Sequence, residues 1–424
     1  MTQKIYTYAG QKSWLDFVLG LTLCIIISGF FFLNTSLHRD VLYASLPLGI
    51  YFLRAQKPFS IKDLKKSNLL CLSAFFILLN FLSILWSQHN DAEMLWTTFK
   101  IAPFLTISIL SYVAYMLRYN KSWDYFIDAY ILCAIASGAL LLILFYQNIW
   151  DSYIEPIPLR EGVNPWRLEG FGRAKNANLA GLLYSVSILA ILFKPTKVIL
   201  YMNHIYFKFF GIFILGTTLF LTLSRGALIA FTASIIILCT IKALTHIKNK
   251  SSILFIPLIL LVVFTGVIQL FPNIITYMIE RGSSGRIEIW SLALEQFLQS
   301  PIIGQGSATR LTYNFFFEFS LTASHEHNIY LTVLTDLGIV GFLSFIALLA
   351  TTWFYALHYA RKSHDYSILG MITYGYIFGV FDLSGYYVSL APAWIVFWLP
   401  IAFLASERIK ENNKSELPNA AGVA

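Results

Sequence analysis

Charged residues are scarce in this 424-residue sequence: Asp, Glu, Lys and Arg make up only 12% of it, whereas 57% of the residues are hydrophobic. Because soluble domains contain about 25% charged residues, this deficit excludes a chain whose side chains mostly face water. Cysteine is scarce as well, and its four occurrences have neither metal-ligand spacing nor a loop position suited to a disulfide. We interpret all four as small hydrophobic residues of apolar segments: Cys24, Cys71, Cys133 and Cys239.

Long apolar segments fill most of the chain and predict an all-α, polytopic transmembrane protein with about twelve spanning helices, since a spanning helix needs roughly 20 mostly apolar residues. We predict a single transmembrane domain over residues 1–405, followed by a cytoplasmic tail at 406–424 that we expect to be disordered. The predicted spans are residues 14–33, 41–53, 69–86, 101–117, 131–146, 179–193, 209–223, 227–241, 253–271, 337–355, 368–381 and 388–405.

The basic residues orient these spans. Most of the 30 Lys and Arg residues fall in one set of loops, and the positive-inside rule makes that set cytoplasmic together with both termini. The net charge of +8 is then a property of membrane topology and does not indicate a nucleic-acid partner. The other side of the membrane carries two long loops, residues 147–178 and 272–336.

Several outer cations run against this charge bias, and Arg225 is the first of them. It follows Ser224 in a tight turn between two apolar spans. Gly226, the next residue, would allow a bound headgroup to approach the backbone closely. The alternative is an arginine that snorkels to the lipid interface.

A second outer arginine, Arg286, opens a predicted helix. Apolar residues at helical spacing make this helix amphipathic, with Ser283 or Ser284 as its N-cap. A cation in the first turn opposes the helix dipole unless an anion such as phosphate shares the site. Contact with lipid headgroups is the alternative. The residues at helical spacing are Ile287, Trp290, Leu294 and Phe297.

Three more outer cations are candidates for binding phosphate or lipid headgroups. Arg173 and Lys175 precede the sixth predicted span, which we expect Asn176 and Asn178 to cap. Arg281 lies in the larger outer loop, shortly before Arg286.

Two histidines, His325 and His327, lie together where the larger outer loop re-enters the membrane. Histidine is the natural general base near neutral pH, and Glu326 or Asn328 could orient one of the rings. A zinc site is one alternative, although no third Cys or His lies nearby in the sequence. The other alternative is a pair of interfacial histidines with structural hydrogen bonds.

A histidine base beside several arginines suits attack by a sugar hydroxyl on a glycan whose leaving group is a diphosphate. The base takes the hydroxyl proton, and the arginines stabilise the charge that builds on the diphosphate. We expect neither a metal nor another cofactor, because the outer loops carry no acidic cluster of the Asp-x-Asp kind.

The order of these motifs resembles the bacterial O-antigen ligases and their relatives, the O-antigen polymerases and protein O-oligosaccharyltransferases. The resemblance covers residues 171–341 by motif and the whole chain by span number. The matching pieces are Gly172-Arg173 with Asn178, Leu223-Ser224-Arg225-Gly226, Gly285-Arg286 with Trp290, Pro301 with Gly304-Gln305-Gly306, and His325-Glu326-His327-Asn328 followed by Asp336-Leu337-Gly338 and Gly341.

The resemblance implies a fold of the GT-C-like kind and a metal-independent enzyme of the bacterial inner membrane whose active site faces the periplasm. It implies a glycan donor linked to undecaprenyl diphosphate and, for a ligase, a lipid A-core acceptor, as in lipopolysaccharide biosynthesis. The essential residues of the family correspond to Arg225, Arg286 and His327, with His325 as an alternative base.

Two other functions remain open from the sequence. An O-antigen polymerase, of similar length, would join two lipid-linked glycans. A transporter of lipid-linked sugar would instead place charges at the middle of the bilayer or show internal repeats. The unusual residues of this chain lie at one face, which favours surface chemistry.

Overall fold

A computed structural model of the chain describes residues 14–56, 67–87, 92–154, 168–195, 205–245, 282–309, 312–317, 319–383, 385–387 and 390–415. The helices in this part of the chain are α1 (Trp14–Ser28), α2 (Thr35–Gln56), α3 (Asn68–Ser83), α4 (Ala92–Arg118), α5 (Ser122–Ile154), α6 (Ala177–Phe193), α7 (Ile205–Leu221), α8 (Arg225–Thr245), α9 (Arg286–Gln299), α10 (Ile329–Ser363), α11 (Ser367–Asp382), α12 (Ala393–Val396) and α13 (Trp398–Ser415). Short 3-10 turns cover Gly29–Phe31, Ile84–Trp86 and Gly172–Ala174.

The predicted all-α membrane fold is confirmed. Eleven of the twelve predicted spans coincide with described helices, whereas the span at 253–271 lies outside the described residues. Among the described residues, six helices are long and apolar enough to cross a membrane, and three shorter apolar helices accompany them. Those six are Trp14–Phe31, Asn68–Trp86, Thr98–Arg118, Ser122–Gln147, Arg225–Thr245 and Ile329–Ser363.

Some predicted boundaries differ from the helices in the structure. Helix α5 continues to Ile154, so the outer loop expected from residue 147 begins with a helical extension. The last predicted span is interrupted at Phe397, after which α13 runs to Ser415. The expectation of a disordered tail is therefore wrong for residues 406–415. Ion pairs on this polar helix, such as Lys410 with Glu407 at 2.7 Å, satisfy its charged side chains.

Two short helices lie at the centre of the bundle. Helix α6 has 17 residues and α11 has 16, and most residues of both are buried. Helix α11 packs against α6, α8 and α10. Because the neighbouring helices cover α11 on several sides, its C-terminal end, at Asp382, is a point where several segments can meet.

The loop expected at residues 272–336 contains a β-hairpin, which was not predicted from the sequence. Its strands, β1 (Tyr313–Phe317) and β2 (Phe319–Ala323), pair antiparallel with Tyr313 opposite Ala323. Aromatic and β-branched residues favour extended structure over these ten positions. Tyr313 is buried against α9 and forms a small hydrophobic cluster with Ile289 and Ala293. The hairpin therefore begins beside the helix that carries Arg286.

Helix α10 is kinked at Gly338, which has a φ of +62° and a ψ of −162°. The segment 301–306 lies against the kink, and its turns place Gly304 and Gly306 at positive φ, as expected of turn residues. Backbone groups on each side satisfy groups on the other: Ile339 N–H donates to Pro301 O (2.9 Å), Val340 N–H to Ile302 O (3.2 Å), Gln305 N–H to Thr335 O (2.8 Å) and Gly306 N–H to Asp336 O (2.8 Å).

Candidate active site

Five segments meet at the C-terminal end of α11. They are the first turn of α6, the turn between α7 and α8, the start of α9, the loop before α10 and the last turn of α11. Each contributes a polar or charged side chain to a network of contacts. Asn178, Arg286 and His327 contact Asp382. Ser224 contacts Asn178, and the next residue in the chain, Arg225, contacts Ser284 at the start of α9. The three residues predicted to carry the chemistry, Arg225, Arg286 and His327, all belong to this network.

Arg225 is the first residue of α8 and follows a strained turn. Leu223 has a φ of +48°, which reverses the chain sharply after α7. The Arg225 guanidinium donates a hydrogen bond of 3.0 Å to the Ser284 hydroxyl, which lies at the start of α9. Gly226 serves a different purpose from the predicted one. A Cβ there would lie 2.7 Å from the Cβ of Phe381, so this glycine lets α8 approach α11.

Arg286 is the first residue of α9, as predicted, but neither Ser283 nor Ser284 is its N-cap. Gly285 occupies that position in a left-handed conformation and makes no side-chain cap. The Arg286 Nε donates to the carbonyl of Phe381 at 2.8 Å, and its guanidinium lies 3.7 Å from a carboxylate oxygen of Asp382. The cation that opposes the helix dipole therefore has an anionic partner within the protein.

His327 and Asp382 form a short polar contact within this network. His327 Nδ1 lies 2.5 Å from Asp382 Oδ1. An ionised carboxylate can only accept, so Nδ1 carries the hydrogen and the lone pair of the ring resides on Nε2. The His327 side chain remains 31% exposed, whereas that of Asp382 is 11% exposed. In its neutral form, the imidazole is thereby held in the Nδ1–H tautomer, which leaves Nε2 to act as a general base.

The expectation that Glu326 or Asn328 orients a histidine ring is wrong. The buried Glu326 carboxylate instead accepts from the hydroxyls of Tyr313 (2.6 Å), Thr332 (2.7 Å) and Thr335 (3.2 Å). Asn328 caps α10 by accepting from two backbone N–H groups. Both side chains therefore anchor the loop that carries the histidines and do not contact the imidazoles.

His325 lies edge to face against His327, with 3.9 Å between the ring centroids. Its Nδ1 is buried and has no hydrogen-bond partner among the described residues. Burial, and next the neighbouring His327, lower the pKa of His325. No described group of three or more His, Cys, Asp and Glu residues is placed to hold a metal.

The other predicted cations do not join this network within the described residues. The Arg173 guanidinium donates to the carbonyl of Leu390 at 2.6 Å and lies 6.0 Å from the centre of the Phe30 ring. Lys175 is exposed, and Arg281 lies outside the described residues. Arg173 thus fastens the turn before α6 to neighbouring helices, a packing role that the sequence did not reveal.

Two members of the network were missed or misassigned from the sequence. Asp382 was not among the candidate residues, although an ionisable residue near the end of a span signals a functional site. Asn176 caps α6 as predicted, but Asn178 does not. Its amide donates to Asp382 Oδ2 and its carbonyl accepts from the Ser224 hydroxyl at 2.8 Å.

Comparisons with known proteins agree with the motif order. A family model described as O-antigen ligase matches residues 210–346, a region that includes Arg225, Arg286 and His327. An O-antigen ligase of Pseudomonas aeruginosa is 25% identical over 329 residues, which cover 76% of this chain and 73% of that protein. The resemblance to O-antigen ligases is therefore confirmed.

Proposed function

Since the chain resembles the O-antigen ligases, we propose that it transfers a glycan from undecaprenyl diphosphate to lipid A-core at the periplasmic face of the inner membrane. The observation that carries this proposal is the assembly of His327, Asp382, Arg286 and Arg225 at one end of α11. This assembly combines an oriented imidazole with two guanidinium groups. Glycosyl transfer from a diphosphate needs a general base and cationic groups that stabilise the leaving group.

In the proposed reaction, His327 Nε2 removes the proton of an acceptor hydroxyl. The hydroxyl oxygen forms a bond to the anomeric carbon of the donor glycan as the bond from that carbon to the diphosphate breaks. Asp382 stabilises the imidazolium that forms, as a carboxylate does in other base-carboxylate pairs. The departing diphosphate keeps the electron pair of the broken bond, and the proton leaves later from His327.

Arg225 and Arg286 bind the diphosphate in this proposal. A guanidinium presents donors in a planar fork that matches phosphate oxygens. Arg286 lies 3.7 Å from Asp382, and Arg225 donates to the Ser284 hydroxyl two residues before Arg286. Both guanidinium groups therefore lie at the start of α9, where they could bind one anionic ligand together. Charge stabilisation by these arginines requires no metal ion.

The test combines purified protein, undecaprenyl diphosphate-linked glycan and lipid A-core in the presence of EDTA, with the ligated glycolipid detected on a gel. We expect a product that disappears in His327→Ala and decreases in Arg225→Lys, which keeps the charge but loses the planar fork. Elongation of the donor glycan alone would support a polymerase. Full activity of both His327→Ala and His325→Ala would contradict the general-base mechanism.

A further inference from the structure

We propose that Asn178 is a positioning residue that fixes Asp382, and through it His327, relative to the turn that carries Arg225. The inference deepens the function proposed above and rests on it. A continuous path of side-chain contacts runs from Ser224 through Asn178 and Asp382 to His327. Ser224 directly precedes Arg225, so this path joins the proposed base to one of the proposed phosphate-binding arginines.

The orientation of the Asn178 amide follows from its partners. The Ser224 hydroxyl donates to Asn178 Oδ1 at 2.8 Å, which directs Nδ2 towards Asp382. The reverse orientation would set the amide oxygen against a carboxylate, where neither atom can donate. Asn178 therefore donates to Asp382 Oδ2, and Oδ1 of the same carboxylate is left to accept from His327.

Asp382 depends on such donors because of its position. It is the last residue of α11, where the negative end of the helix dipole disfavours a carboxylate. Three side chains compensate for this: His327 on one oxygen, and Asn178 and Arg286 on the other. Of the three, only Asn178 has neither of the proposed chemical roles, general base or binding of the diphosphate. Asn178 therefore affects the reaction only through the geometry of Asp382.

Other groups near His327 do not substitute for Asn178. His325 packs edge to face against the His327 ring, and the Arg286 guanidinium lies 3.7 Å from Asp382. The carboxylate of Glu326 is turned towards the hydroxyls of Tyr313, Thr332 and Thr335. Without Asn178, Asp382 would be free to turn towards Arg286 and away from the imidazole.

The kinetic experiment is a double-mutant cycle with Asn178→Ala and Asp382→Asn. We expect Asn178→Ala to lower kcat about 10-fold with little change in KM, the size expected for losing a hydrogen bond to a charged group. In the Asp382→Asn background the same substitution should cost almost nothing, because its effect passes through Asp382. A loss of equal size in both backgrounds would overturn the proposal in favour of a general structural role.

Asn176→Ala is the matched control, since Asn176 caps the same helix through the N–H of Asn178. It should lower stability and leave kcat unchanged. If Asn176→Ala and Asn178→Ala lowered kcat equally, disruption of the start of α6 would explain both, and the positioning role of Asn178 would be refuted.

A second readout does not depend on transfer activity. The 15N chemical shifts of His327 report which ring nitrogen carries the hydrogen, and we expect the Nδ1–H form in the wild-type protein. Asn178→Ala should raise the Nε2–H fraction, but not when Asp382 is already Asn. An unchanged tautomer in Asn178→Ala would contradict positioning whatever the activity. A changed tautomer in a protein that transfers no glycan would contradict only the proposed function.

Discussion

His327 has a φ of +53°, a left-handed backbone conformation that residues with a Cβ adopt infrequently. The buried hydrogen bonds of Glu326 on one side and the helix cap made by Asn328 on the other hold this conformation. As a result, the imidazole of His327 points to Asp382. Strain of this kind persists where the surroundings over-determine a residue, as they do at active sites.

Asp382→Asn tests the partnership between this residue and His327. The amide has nearly the same size as the carboxylate but cannot stabilise an imidazolium, and it can present an N–H to the ring and impose the wrong tautomer. We expect kcat to fall by about 100-fold or more. The measurement is kcat and KM of glycan transfer in detergent. A variant with wild-type kcat would show that Asp382 has no part in the reaction.

His38, in the first turn of α2, predicts a pH-dependent stability. Its side chain is buried, its Nε2 lies 2.8 Å from the carbonyl of Ile26, and burial lowers its pKa from 6.5 to about 4. The unfolded chain therefore takes up a proton below about pH 6.5 that the folded chain does not take up until about pH 4. The free energy of unfolding should fall by about 3 kcal/mol across this interval and stay constant above it.

Thermal unfolding of the detergent-solubilised protein between pH 7 and pH 4.5 measures this effect. His38→Gln, whose amide can still donate to Ile26, should lose less stability over that interval than the wild-type protein. His358→Gln is the control, because the His358 side chain is 62% exposed. Parallel pH profiles for His38→Gln and the wild type would refute the assignment.

Whether a feature of the helices could be predicted from the sequence depends on whether the contacts that stabilise it are local in the sequence. The spans were predictable because each is a local run of apolar residues, and Arg286 was placed in the first turn of α9 for the same reason. The N-cap of α9 was not, because the Ser284 hydroxyl is engaged by Arg225, a residue far away in the sequence. Asn178 was wrongly predicted to be a cap for a similar reason. Its partners, Ser224 and Asp382, lie on segments that are distant in the sequence.

The kink in α10 and the segment 301–306 form one interlocked unit, which Gly304→Ala tests. Gly304 has a φ of +71°, and a Cβ there would lie 2.4 Å from the backbone of Asp336. Gly282 has a φ of +52°, but nothing lies within 4 Å of the position of its Cβ. Gly282→Ala therefore adds backbone strain alone, about 1 kcal/mol, whereas Gly304→Ala also forces two backbones apart.

We expect Gly304→Ala to lower the free energy of unfolding by at least about 2 kcal/mol more than Gly282→Ala does. Thermal unfolding of the two variants beside the wild-type protein provides the comparison. Equal losses would show that α10 and the segment 301–306 separate easily, and that the kink does not depend on their contact.

At the scale of the whole chain, the sequence predicted where the candidate site lies but not which of its residues contact one another. The arginines were identified because they break the charge bias that orients the spans, and the histidines because two of them lie together beside a predicted span. Their mutual distances depend on how five segments converge on α11, which no local pattern encodes. Asp382 was missed for that reason: only the packed bundle brings it to His327, 55 positions earlier in the chain.

The same charge bias predicts the orientation of the chain in the membrane, which the packing of the helices does not determine. If the basic loops are cytoplasmic, then α9 lies outside and the C-terminal end of α10 lies inside. Ser291 is exposed on α9, and the Lys362 side chain is 64% exposed near the end of α10. In spheroplasts, a membrane-impermeant maleimide should label Ser291→Cys but label Lys362→Cys only after the cells are lysed.

The wild-type chain is the control for this labelling, because its exposed cysteine, Cys71, lies on a predicted span, where lipid would shield it. Labelling of Lys362→Cys in intact spheroplasts, with Ser291→Cys protected, would invert the topology. The arginines and His327 would then face the cytoplasm, where a periplasmic acceptor could not reach them. The orientation of the chain in the membrane is thus a condition of the proposed chemistry, independent of the geometry of the site.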